Sequence, residues 1–264
     1  MPFGFLTDRR REKLRARPFD PEWLAIIERN FPVFRRLPST DRAELLGHVQ
    51  VFIAEKHFEG CGGLELTDEI RVTIAAQACL LLLHRETDYY PDLTSILVYP
   101  TGYTEEAVRH IGGGIFEEGP EDRLGHTARG LRALVLAWDA ASHGARDPGD
   151  GQNVVLHEFA HQLDFENTTA DGTPALDTHA QYLAWARVMS AEFNALRVAA
   201  SHGIPSVLDE YGATNPIEFF AVATEAFFER PRELKEKHPA LYAELKGFFK
   251  QDPVQFSSES ATTF

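Results

Sequence analysis

Val154-Val155-Leu156-His157-Glu158-Phe159-Ala160-His161-Gln162-Leu163-Asp164 decides how this chain is read. The stretch contains His-Glu-x-x-His, whose spacing puts two imidazoles on one helix face with a carboxylate beside them. At about 100° per residue, His157, His161 and Asp164 fall within roughly 60° of one another, and Val155, Leu156, Phe159 and Leu163 take the opposite side. One face is apolar and buries itself. The other presents two histidines about one turn apart, so that both can reach a single tetrahedral Zn²⁺ at ~2.0–2.1 Å. Glu158 lies about 60° round from His161, near enough to reach a water on such an ion without being a ligand. With 11 His and 25 Glu in 264 residues, a chance match is expected only about 0.04 times.

A catalytic zinc keeps three protein ligands and one open position, so a third donor must come from elsewhere. The pattern His-Glu-x-x-His-x-x-Gly-x-x-His fails here, because its last two positions are Asp164 and Asn167. A better source is residues 211–225, where Asn215 is a natural N-cap and Pro216 a natural first helical residue, putting Glu218 at the third position. Glu218, Glu225 and Glu229 fall within about 20° on one face of that helix. Glu218 is the candidate ligand, with completion of a capping box as its ordinary alternative. Glu225 is the rival ligand or, by default, a hydrogen-bond partner of a ligand histidine. Asp164 suits the same supporting role or simply ends its helix. Tyr211, seven residues before Glu218, either donates to the oxyanion of a tetrahedral intermediate or is a packed tyrosine.

The remaining chain reads as an α+β protein, predominantly helical with a small sheet. Helices are expected over residues 21–31, from a Ser39-Thr40-Asp41 cap to about 55, from Thr67 through the apolar run 74–83, over 179–200, over 216–229 and over about 231–249. Residues 95–99 and 132–138 read as strands. Gly60-Cys61-Gly62-Gly63 is a turn rather than a phosphate cradle, since no Gly-Lys-Ser/Thr follows. Gly112-Gly113-Gly114 is a flexible turn, and residues 144–151 are a loop rich in Gly, Asp and Pro. The divisions are a charged lead-in over 1–18, one domain over 19–256 and a flexible tail over 257–264. Within the domain, residues 19–90 form a helical N-terminal part and 91–256 a metal-binding part.

The net charge of −14 argues against nucleic acid or an anionic membrane as partner. Cys61 and Cys79 have no metal-type pairing, and the N-terminus lacks the apolar core of a signal peptide. A reducing cytoplasm is the expected location.

At these residues the chain resembles the Mlc titration factor A family of bacterial cytosolic zinc peptidases of the gluzincin type. The matching pieces are residues 157–164, Tyr211 to Glu218, and Phe219-Phe220-Ala221-Val222-Ala223-Thr224-Glu225-Ala226-Phe227-Phe228. Upstream, Glu55-Lys56-His57-Phe58-Glu59-Gly60, Leu66-Thr67-Asp68 and Val98-Tyr99-Pro100 are also similar, so the likeness runs from about residue 20 to about residue 250. It implies one Zn²⁺ held by His157, His161 and Glu218, with Glu158 as catalytic base and Tyr211 assisting. It further implies a zincin-like fold, aminopeptidase character and, in enterobacterial members, binding to the glucose-regulated repressor Mlc. The arrangement is also similar to the catalytic domain of anthrax lethal factor.

The expected mechanism is hydrolysis of a peptide bond. Glu158 takes a proton from a zinc-acidified water and passes it to the leaving amine. Residues 132–138 would be either an edge strand that pairs with extended peptide or a core strand. The competing class is a zinc-containing regulatory protein that sequesters a transcriptional repressor, with hydrolysis secondary. A helical scaffold with accidental histidines is the remaining alternative.

Overall fold

The computed structural model describes residues 5–101, 132–167 and 171–256. Eleven helices and three strands are defined among them. In order they are α1 (Phe5–Arg15), α2 (Pro21–Asn30), α3 (Val33–Arg36), α4 (Ser39–Glu55), β1 (His57–Gly60), α5 (Asp68–Leu80), β2 (Ser95–Tyr99) and β3 (Ala133–Ala137). Then follow α6 (Trp138–Arg146), α7 (Val154–Asp164), α8 (His179–Ser201), α9 (Pro216–Glu229), α10 (Pro231–Lys237) and α11 (Pro239–Phe249). Short 3₁₀ turns occupy Glu210–Ala213 and Pro253–Gln255. The architecture is α+β and predominantly helical, as the periodicity indicates.

The sheet is parallel in the order β1-β2-β3, with His57 opposite Ser95 and Ser95 opposite Ala133. Parallel neighbours cannot be joined by a hairpin; α5 makes the crossover between β1 and β2. Inward-facing Phe58, Ile96, Val98, Leu134 and Leu136 are buried, and alternate residues of the strands are less so. α5 is apolar nearly all round and is buried over Val72–Leu80, which places it in the centre of the core as expected. Its one central amide, Gln77, donates to Thr73 O at 3.1 Å and to Ala141 O at 3.2 Å, tying α5 to α6.

α7 lays its apolar side on this core. Phe159 is fully buried, its ring 4.8 Å from that of Tyr90 and 5.7 Å from that of Phe52. Trp185 of α8, Phe220 of α9 and Phe248 of α11 form a second aromatic group with edge-on contacts of 5.6–5.9 Å. Apolar residues cover most of α7 and α9, and the polar side chains His161, Asp164, Glu225 and Glu229 are buried along with them.

Several elements differ from the sequence expectations. The residues expected to cap α4 lie inside it; Pro38 holds the cap position and makes no side-chain hydrogen bond. Gly60 belongs to β1, and the turn follows it, with Gly62 and Gly63 at φ 60° and 81°. A Cβ at Gly60 would overlap the carbonyl oxygen of Leu64. β1 itself was not anticipated, nor was α6, which starts where β3 ends and takes in Gly144. The single helix expected over 231–249 is two, because Pro239 has no N–H to continue α10 and instead starts α11. Gly112-Gly113-Gly114, the first four residues and the tail 257–264 lie outside the described residues.

The charged lead-in contains α1, which packs on α4. Arg11 is 6% exposed and pairs with Glu55 at 2.8 Å and Asp88 at 2.6 Å. Both cysteines are free thiols, and Cys79 is buried. Among the described residues no helix is long and apolar enough to cross a membrane.

Candidate metal centre

α7 begins at Asn153, whose side-chain oxygen accepts from the Leu156 N–H at 3.0 Å. From this start His157 and His161 fall one turn apart, ring centroids 4.8 Å apart and nearly perpendicular. α9 begins at Asn215, whose side-chain oxygen accepts from the N–H groups of Ile217 and Glu218 at 2.9 and 3.0 Å. Glu218 does not return its side chain to that cap. Its carboxylate instead turns to α7, where Oε2 lies 3.0 Å from His157 Nε2 and 3.4 Å from His161 Nε2. One donor atom from each of these three residues lies within 4.8 Å of the other two.

Two ligands bonded at ~2.0–2.1 Å to one tetrahedral ion lie roughly 3.3–3.4 Å apart. The Glu218–histidine separations of 3.0 and 3.4 Å bracket that value. The donor set of two imidazoles and a carboxylate fits zinc, and three donors are the number an open, catalytic zinc keeps.

Glu225, two turns after Glu218, faces the other side of His157. His157 Nδ1–H donates to Glu225 Oε1 at 2.7 Å, leaving Nε2 directed at Glu218. A carboxylate behind an imidazole in this way fixes ring orientation and tautomer. Glu225 therefore lies behind the His157 ring, outside the group of three donor atoms. Both ring nitrogens of His157 face carboxylates. Burial alone would lower the His157 pKa, but hydrogen bonds to Glu218 and Glu225 prevail and lift it to about 10. Burial likewise works against Glu218, yet its bonds to both histidines hold it down at about 2. The His157 ring is thus held between two carboxylates.

Glu229, the third carboxylate of the α9 face, accepts from Asn153 Nδ2 at 3.1 Å. The Asn153 backbone N–H donates to Glu225 Oε2 at 2.5 Å. Sequence reading placed Glu229 on the right face but missed Asn153; the only signal was an Asn directly before the histidine helix.

Asp164 is fully buried and, among the described residues, makes no hydrogen bond to a histidine. Its Oδ2 accepts from the Gly172 N–H at 3.0 Å. Gly172 sits at φ 79° against the Pro216 carbonyl, where a Cβ would overlap, and its own carbonyl accepts from Trp185 Nε1–H at 3.2 Å. Asp164 thus ends α7 and fastens the returning chain to the start of α9. His161 Nδ1 is buried without a hydrogen-bond partner, its ring stacked on Phe165 at 6.3 Å.

Tyr211 is carried on the 3₁₀ turn that precedes α9, positioned by its N–H donating to Asp209 Oδ1 at 2.8 Å. Its ring centroid is 6.0 Å from that of His157. Glu158 is partly exposed and makes no hydrogen bond or ion pair among the described residues, leaving its carboxylate available for chemistry. The five residues singled out from the sequence are thus contributed by α7, α9 and one adjoining turn. A further group, His143 with Asp147 and Asp150, is solvent-exposed on α6 and the loop after it.

The family described as glucose-regulated metallo-peptidase M90 matches residues 5–250. A protein of Synechocystis sp., named only as uncharacterized, is 38% identical over 247 residues, 94% of this chain and 90% of its own. The Mlc titration factor A of Edwardsiella ictaluri is 30% identical over 232 residues, 85% of each chain. That of Klebsiella pneumoniae subsp. pneumoniae is 29% identical over 238 residues, 84% of each.

Proposed function

The chain belongs to the M90 family of glucose-regulated metallo-peptidases, and on that premise we propose that it hydrolyses peptide bonds with one zinc ion held by His157, His161 and Glu218. The observation that carries this reading is the convergence of Glu218 Oε2 on both histidine Nε2 atoms at 3.0 and 3.4 Å. Zinc bound there supplies a Lewis acid and lowers the pKa of a water toward ~7. The Glu158 carboxylate takes the proton from the attacking water and delivers it to the leaving amine. Glu225 keeps the His157 Nδ1–H occupied, so that Nε2 is the donor atom. The Tyr211 hydroxyl donates to the oxyanion that develops on the substrate carbonyl. Extended peptide lies along β3, which is at an edge of the sheet among the described residues.

An aminopeptidase-like preference and work in a reducing cytoplasm, which suits the free thiols Cys61 and Cys79, complete the proposal. The names of the relatives support a second reading, in which the chain binds and sequesters a transcriptional repressor of the Mlc type and hydrolysis is secondary. Glu158 distinguishes the two, because a site that only holds zinc for structure has no use for a base. Glu158→Gln is expected to keep its zinc and lower the cleavage rate of a peptide library by about 10²–10⁴-fold. Undiminished cleavage by that variant contradicts the assignment of the base.

A further inference from the structure

Asn153 has more partners than a helix cap requires. Its Oδ1 accepts from the Leu156 N–H at 3.0 Å and its carbonyl accepts from the His157 N–H at 2.9 Å, which is the cap itself. Ser, Thr or Asp would serve equally there. The additional partners need an amide. Nδ2 donates to Gly144 O of α6 at 3.0 Å and to Glu229 Oε1 of α9 at 3.1 Å, while the backbone N–H donates to Glu225 Oε2 at 2.5 Å. Every polar atom of the residue is used, at 2% exposure.

The surroundings close on it. A Cβ at Gly144 would stand 3.0 Å from Asn153 Cα and Cγ, so α6 approaches the residue as closely as a backbone can. Glu229 is 7% exposed and its Oε2 has no partner. A buried carboxyl with an unsatisfied oxygen costs stability, and α9 does not need one there to be a helix. Glu229 stands eleven residues, about 16 Å along the axis, from Glu218. α9 is therefore pinned to α7 at Glu229–Asn153, three turns away from where its other end offers the third donor.

We infer that Asn153, held by Glu229 and Gly144, is a positioning residue for the metal centre. It sets the axial register of α7 against α9, and through Glu225 the orientation of the His157 ring. The inference rests on the zinc reading above. Sliding α7 along α9 would break two buried hydrogen bonds at Asn153 and move His157 and His161 off the Glu218 carboxylate together.

The test is zinc affinity of the folded protein at pH 9, above the raised pKa of the Glu229 carboxyl, by competition with a chromogenic chelator, with circular dichroism confirming the fold. Asn153→Asp keeps the size, the cap oxygen and the N–H to Glu225, but sets an acceptor against Glu229 Oε1 and Gly144 O. It is expected to weaken zinc binding about 10–100-fold. Adding Glu229→Gln to it returns a donor to the pair and is expected to recover about threefold or more of that loss, as coupled neighbours do. Should Asn153→Asp not fold, Glu229→Met cuts the same link from α9 and is expected to weaken zinc comparably. Affinity within about twofold of wild type in both variants, with only the melting temperature lowered, overturns the inference and leaves Asn153 a structural cap. Failure of the wild-type protein to bind zinc at all is a different outcome; it removes the zinc reading and the inference with it.

Discussion

Glu229 is a residue outside the donor set whose charge state the fold controls. Burial, with Asp150, Glu225 and Asp147 nearby, pushes its carboxyl from the ordinary 4.5 up to about 8 against the hydrogen bond from Asn153. Between those two values the folded chain holds a proton that the unfolded chain has lost. The group's contribution is therefore fully present below about pH 4.5 and disappears as pH rises through about 8. Glu229→Gln removes this dependence. Its melting temperature is expected to gain on wild type between pH 5 and pH 8.5, by about 2–4 °C for each kcal/mol recovered in a chain of this size; a gap that does not change with pH contradicts the assignment. His157, Glu158 and His161 were legible in the sequence because their chemistry depends on spacing along one helix. Asn153 was not, because its partners at 144, 225 and 229 come from two other helices and leave no periodic trace near it.

At the scale of elements, the helices with a long apolar stripe were readable, and so were β2 and β3, whose alternation is plain. β1 is four residues, His57-Phe58-Glu59-Gly60, with one apolar side chain pointing inward; only pairing with β2 makes it a strand. α6 escaped for a related reason: it buries Ala141, Gly144 and Ala145, small residues that carry no hydrophobic signal. The break at Pro239 was legible in principle, since proline inside a helical run marks a new first turn. α1 is held to the body by Arg11 between Glu55 and Asp88, and its charge-rich sequence hides that anchorage. Arg11→Met leaves Glu55, 13% exposed at the side chain, without its partner. A cost of about 3 kcal/mol is expected, read as a lower midpoint in denaturant, with zinc stoichiometry unchanged because α1 supplies no donor. A midpoint equal to wild type would show that α1 contributes nothing to the stability of the body.

Over the whole molecule, the proposed donors His157, His161 and Glu218 come from parts of the chain about sixty residues apart, so on the zinc reading folding and metal binding are expected to be coupled. An ion that binds only the folded chain stabilises it by about 2.7 kcal/mol at a hundredfold excess over its dissociation constant. Chelator-treated protein is therefore expected to melt lower and to recover when zinc is returned, whereas His161→Ala should show no such recovery. Equal melting temperatures with and without zinc would mean that the three donors do not act together on an ion. Membership of the metallo-peptidase family and the spacing of Glu218 from the two histidines lead to the same claim, that one zinc sits among these residues. The most direct test is the metal content of untagged protein by plasma mass spectrometry, beside that of His161→Ala. Close to one zinc per chain, lost in the variant, is the predicted result. No zinc in wild type even after it is supplied, or zinc undiminished in His161→Ala, would contradict the account.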